Sequence, residues 1–132
     1  MDKEGEFSAM KKFLLAAAVA SAAMTAPVAA LADDLYGAIA YSSTTGSYGW
    51  STGFNTRRAA EREALGNCGD RARDCEVATY FKNACGSLAA GSNGGWGANW
   101  GGHMGEAERK AMKICKQNDS GCSIVVTKCA DD

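Results

Sequence analysis

Short β-rich runs and a helix-spaced run alternate along the chain after Asp33, and then alternate again. Tyr36 to Tyr41 (YGAIAY), Tyr48 to Thr52 (YGWST) and Cys75 to Phe81 (CEVATYF) read as strands bounded by Gly, Ser and Asn. The Gly-containing stretch Ser42 to Ser47 turns the first strand back on the second. Between the second and third runs, Ala60, Ala64 and Cys68 recur at i, i+4 and i+8 behind Thr56. That spacing predicts a helix capped by Thr56 and running to about Asn67. The second round gives strands over Cys85 to Ala90, Trp96 to Trp100 and Cys122 to Lys128, a turn at Ser92-Asn93-Gly94, and a helix from about Met104 to Lys116. Because the inward helix positions are mostly Ala, both helices should lie close to their sheet.

The two rounds are copies of one unit. Ala60-Glu61-Arg62-Glu63-Ala64-Leu65-Gly66-Asn67-Cys68 aligns with Ala107-Glu108-Arg109-Lys110-Ala111-Met112-Lys113-Ile114-Cys115, and the same offset carries Cys75 onto Cys122. Upstream, Tyr36-Gly37-Ala38-Ile39-Ala40 matches Cys85-Gly86-Ser87-Leu88-Ala89 after a small gap. So many matches in order indicate a duplication. Each unit reads as ββαβ, over 36–82 and 85–129. The pattern predicts an α+β fold: one mainly antiparallel six-stranded sheet with both helices on one face. No linker divides the halves, so one domain over 33–132 is expected.

The cysteines sharpen this picture. All six lie after Asp33, an even number that suits disulfides in an exported chain. Zinc ligands usually pair at C-x2-4-C, whereas both units here have C-x6-C. Twofold equivalence pairs Cys68 with Cys75 and Cys115 with Cys122, leaving Cys85 for Cys129. The first-unit equivalents of that last pair, Tyr36 and Lys82, should also be neighbours.

The N-terminal part is of a different kind. Met10-Lys11-Lys12 precedes an apolar stretch from Phe13 to Ala23, then Pro27, then Ala30-Leu31-Ala32 before Asp33. Basic, apolar and A-x-A parts in that order predict a secretory signal over 10–32, cleaved near Ala32. The apolar run is too short for a stable membrane span. Residues 1–9 (MDKEGEFSA) read as a vector scar or an upstream mis-start. Periplasm or medium is the expected destination. With 14 basic and 15 acidic residues, net −1, and no basic face, nucleic acid is an unsuitable partner.

Candidate chemistry is sparse. His103 is the sole histidine, which excludes a His-based metal cluster, and it precedes the second helix where Thr56 precedes the first. A capping role there, with Glu106 three residues on, competes with that of a general base. Glu61 and Glu108 hold equivalent helix positions and would be the carboxylates of a minimal hydrolase, or else solvated helix-face groups. No nucleophile–base constellation is identifiable, no metal site is expected and no cofactor is implied. The run from Asn93 to His103 (NGGWGANWGGH) stands out, since glycines beside tryptophans leave an indole free to lie over bare backbone. Trp50, Trp96 and Trp100 would be either core or an aromatic platform with Asn93, Asn99 and His103 as polar partners. Trp96 is the one best suited to the core.

Tyr36 to Ser42, the Ala-Glu-Arg helix ending in Cys68, Asn83-Ala84-Cys85-Gly86-Ser87-Leu88-Ala89 and Asn93-Gly94-Gly95-Trp96-Gly97 together resemble the bacterial family of domain of unknown function 4189. The resemblance covers the whole chain after the leader. It implies small exported proteins, found in mycobacteria and proteobacteria, and brings no catalytic residues with it. The expected function is an exported, non-enzymatic binding module for a protein or a cell-envelope glycan. An inhibitor or immunity-type protein plugging a secreted hydrolase is the alternative, and a carboxylate-dependent hydrolase the second.

Overall fold

The computed structural model describes residues 33–132; the expected leader over 10–32 and the nine residues before it lie outside them. The element order is β1 (Tyr36–Tyr41), β2 (Tyr48–Phe54), α1 (Arg57–Gly69), β3 (Glu76–Lys82), β4 (Cys85–Ala90), β5 (Trp96–Gly101), α2 (Met104–Asn118) and β6 (Ser123–Cys129). Both halves are therefore ββαβ, and the class is α+β. Each helix begins at a side-chain cap. Thr56 Oγ1 accepts from the Ala59 N–H at 3.2 Å. His103 Nδ1 accepts from the Glu106 N–H at 3.3 Å. These bonds satisfy backbone donors that the first turn leaves without partners.

The expectation of one six-stranded sheet with both helices on one face is corrected. The strands form two antiparallel three-stranded sheets, ordered β2-β1-β3 and β5-β4-β6. Alternate residues of β1 point opposite ways. Ala38 and Ala40 pack on Ala60, Ala64 and Cys68 of α1, while Ile39 and Tyr41 join Phe81 and Leu88 between the sheets. In β4, Ala89 meets Ala111 and Cys115 of α2, and Leu88 faces the other sheet. The layers run helix, sheet, sheet, helix, with one helix on each outer face. The physical reason is that β1 and β4 are apolar on both faces, so each needs a partner layer on both sides.

The first and last strands of each half pair in the same register. Tyr36 stands opposite Lys82 in the first, and Cys85 opposite Cys129 in the second. Disulfides join Cys85 to Cys129, Cys68 to Cys75 and Cys115 to Cys122, as the repeat implied. Gly49 of β2 and Gly97 of β5 face the backbone of α1 and α2, where a Cβ would collide with residues Ala64 to Cys68 or Ala111 to Cys115. That absence of a side chain, with the Ala stripe, brings each helix down onto its sheet.

Candidate functional site

The Gly/Trp run divides among several jobs. Trp96 packs against the intersheet core and meets Tyr41 edge to face at 5.7 Å between centroids. Asn93 belongs to the β4–β5 turn, which the Asp119 carboxylate clamps from the loop after α2. It accepts from the Asn93 N–H at 2.8 Å, the Asn93 Nδ2 at 2.9 Å, the Gly95 N–H at 2.8 Å and the Ser120 N–H at 2.7 Å. These donors, Asn93 foremost, hold the Asp119 pKa down at about 2. In the first half Asp74 does the same for the β1–β2 turn, accepting from the hydroxyls of Ser42 and Thr44. His103 caps α2, and Glu106 accepts from the Gly102 N–H at 2.7 Å just before the cap. Asn93 and His103 are thus engaged in holding the fold.

Trp50 and Trp100 are the exposed indoles, at 39 % and 51 %, but they do not form one platform. Trp50 lies on β2, where Lys128 Nζ of β6 stands 4.0 Å from its ring centroid, and it lines a groove with α1 residues Glu63 and Asn67. Trp100 lies on β5 and lines a separate pocket. Asn99 stays with Trp100, its Oδ1 accepting the Trp100 N–H at 2.8 Å. Lys110 of α2 donates to the Trp100 carbonyl at 3.3 Å and stands 5.2 Å from the ring centroid.

The Trp100 pocket holds about 460 Å³ and is lined by Tyr36, Arg57, Tyr80, Phe81, Lys82 and Trp100. Its walls come from β1, the start of α1, the end of β3 and, across the sheet interface, β5. The Arg57 guanidinium lies 3.8 Å from the Tyr80 ring centroid, and its Nε donates to Glu61 at 3.1 Å. Lys82 Nζ is 5.9 Å from the Tyr36 centroid and 3.3 Å from Asp34. The hydrogen bond with Asp34 raises the Lys82 pKa, while Asn83, then Lys82, lower that of Asp34. Both cations are charged at neutral pH, and neither Glu61 nor Asp34 lines the pocket.

Glu61 and Glu108 do not meet, for two sheets stand between their helices. Glu61 is bound to Arg57, and Glu108 Oε2 accepts from the Thr127 hydroxyl of β6 at 2.7 Å. Cys129, Asp131 and Asp132 lie close enough to suggest a metal site, but the Cys129 sulfur is bonded to Cys85. Among the described residues no helix is long and apolar enough to cross a membrane. Three disulfides and no free cysteine mark a domain matured in an oxidising compartment.

The family model for a domain of unknown function, DUF4189, matches residues 36–129. The chain belongs to this family. The match runs from the first residue of β1 to the last of β6, so the DUF4189 unit is the duplicated pair. Similar curated proteins are Protein Rv1269c and Protein MT1307 of Mycobacterium tuberculosis and Protein Mb1300c of Mycobacterium bovis, each 52% identical over 59 residues. The aligned stretch is 45% of this chain and 44% of each relative, so under half of each relative's length is matched. No solved structure matches the chain.

In this DUF4189 domain the walls facing Trp100 escaped the sequence reading. Tyr36, Arg57, Tyr80 and Lys82 come from three separate elements, and no local motif links them. A signal was nonetheless present in the repeat. The second-half equivalents of these four are Cys85, Met104, Thr127 and Cys129, so the copies diverge at all four positions while matching at the core alanines and cysteines.

Proposed function

We propose that this chain is an exported binding module that holds a cell-envelope glycan against Trp100. The observation that carries the reading is the exposure of Trp100, 51 %, at a pocket with three further aromatic walls, Tyr36, Tyr80 and Phe81. An open indole in a small domain whose other apolar side chains are largely packed costs solvation, and exposed rings of this kind serve as recognition surfaces. The pocket's size falls in the usual small-ligand range, about 300–1,000 Å³. Export is supported by the leader pattern of residues 10–32 together with the three disulfides. Trp50, with Lys128 over its ring, serves the reading as a secondary contact on another edge.

The test is a comparison of Trp100→Ala with the parent protein for retention by envelope polysaccharide and by envelope protein. Because the ring is half exposed on an edge strand, the variant should keep its melting temperature within a few degrees and lose polysaccharide retention. A folded Trp100→Ala protein that is retained as well as the parent defeats the proposal. A variant destabilised by the roughly 3–5 kcal/mol typical of a core tryptophan defeats it as well.

A further inference from the structure

We propose that the pocket between Trp100 and the β3 edge takes a sugar ring bearing a carboxylate, an acidic glycan unit. This deepens the proposed function and rests on it. The lining combines four aromatic side chains, Tyr36, Tyr80, Phe81 and Trp100, with two cations, Arg57 and Lys82, and contains no carboxylate. Aromatic rings accept the C–H face of a pyranose, and a guanidinium beside an ammonium accepts a carboxylate. Arg57 Nε donates to Glu61 at 3.1 Å and its guanidinium lies against the Tyr80 ring; a guanidinium carries five donors, so a ligand carboxylate can share it. Lys82 is half exposed beside Asp34, so a ligand carboxylate would share it or displace Asp34.

The duplication provides an internal control. The second half builds the same ββαβ unit with Cys85, Met104, Thr127 and Cys129 where the first has Tyr36, Arg57, Tyr80 and Lys82. Trp100 itself is matched in the first half by Thr52. The architecture therefore does not demand rings and cations at these places. Matched positions such as Ala60 and Ala107, or Cys68 and Cys115, show what it does demand. A neutral glycan would meet the rings of this pocket but use neither of its two charges.

The test is calorimetric titration of the oxidised protein, as exported, with oligomers of galacturonate, glucuronate and N-acetylmuramate. Carboxyl-reduced counterparts and a glutamate oligomer of equal charge serve as comparisons. Saturable binding to at least one acidic oligomer is expected, about tenfold tighter than to its reduced form. Arg57→Gln and Trp100→Ala should each weaken it about tenfold with melting temperatures preserved. Equal affinity for a reduced oligomer overturns the carboxylate role, and equal affinity for the glutamate oligomer overturns the role of the rings. Binding to none of the acidic oligomers overturns this inference alone if Trp100→Ala still abolishes polysaccharide retention. If retention is unaffected by that variant, the proposed function fails too.

Discussion

Phe81 and Lys128 occupy equivalent positions in the two halves, each opposite a glycine of the central strand, yet only Phe81 is buried between the sheets. The Phe81 ring fills the space a Cβ would need at both Gly37 and Gly86, one glycine from each sheet. A single aromatic thus plugs a notch that both copies create. The equivalent Lys128 places its ammonium over Trp50 instead. The twofold relation breaks where two identical large side chains would compete for one space.

Phe81→Ala should accordingly cost about 3–5 kcal/mol of unfolding free energy, as other buried aromatics do. Gly86→Ala, which forces a methyl into the ring, should cost about 1–3 kcal/mol. Urea denaturation measures both; a near-neutral Phe81→Ala would contradict the packing described.

The disulfides should differ in weight. Cys85–Cys129 closes a sequence separation of 44, whereas the other two close separations of 7. Chain-entropy reasoning assigns about 4 kcal/mol to the first and about 2 kcal/mol to each of the others. Replacing Cys85 and Cys129 together by alanine should lower the melting temperature most. Equal losses for the three double variants would show that constraint of the unfolded chain is not the main term.

Asp119 should make the domain acid-sensitive. Its folded pKa of about 2 lies below the ordinary 3.8, so at pH between these values the unfolded chain binds more protons than the folded one. The contribution is complete above pH 3.8 and is lost as pH falls towards 2. Asp119→Asn should therefore show a shallower fall in melting temperature across that window than the parent. Parallel curves for the two proteins would mean that the turn clamp carries no linkage.

His103 should behave as a cap. His103→Ala is expected to cost about 1 kcal/mol, as loss of a capping side chain does, and His103→Asn or His103→Asp to restore most of it. Retention of envelope polysaccharide should be unchanged in all three. Loss of retention in a stable His103→Asn protein would move His103 from the helix end into the binding site.

The sequence by itself determined what depends on short-range pattern. Strand and helix positions followed from runs of apolar residues and from the Thr56 and His103 caps, and the duplication followed from matched residues in order. The disulfide pairing followed from the duplication, because Cys68–Cys75 and Cys115–Cys122 are counterparts in the two copies and leave Cys85 for Cys129. The number of sheets is a different kind of property. Tyr36 to Tyr41 is apolar on both faces, which suits a strand between a helix and a second sheet, whereas one sheet with both helices on one face would have bared Ile39 and Tyr41. The tertiary structure decided the four layers because only the second sheet, with Phe81 seated between Gly37 and Gly86, covers those side chains. It also decided the site. Trp100 and Asn99 are neighbours in sequence, but Tyr36, Arg57, Tyr80 and Lys82 reach Trp100 only because β3 of one sheet lies over β5 of the other, and face-to-face packing of sheets leaves no periodicity in the chain that makes it.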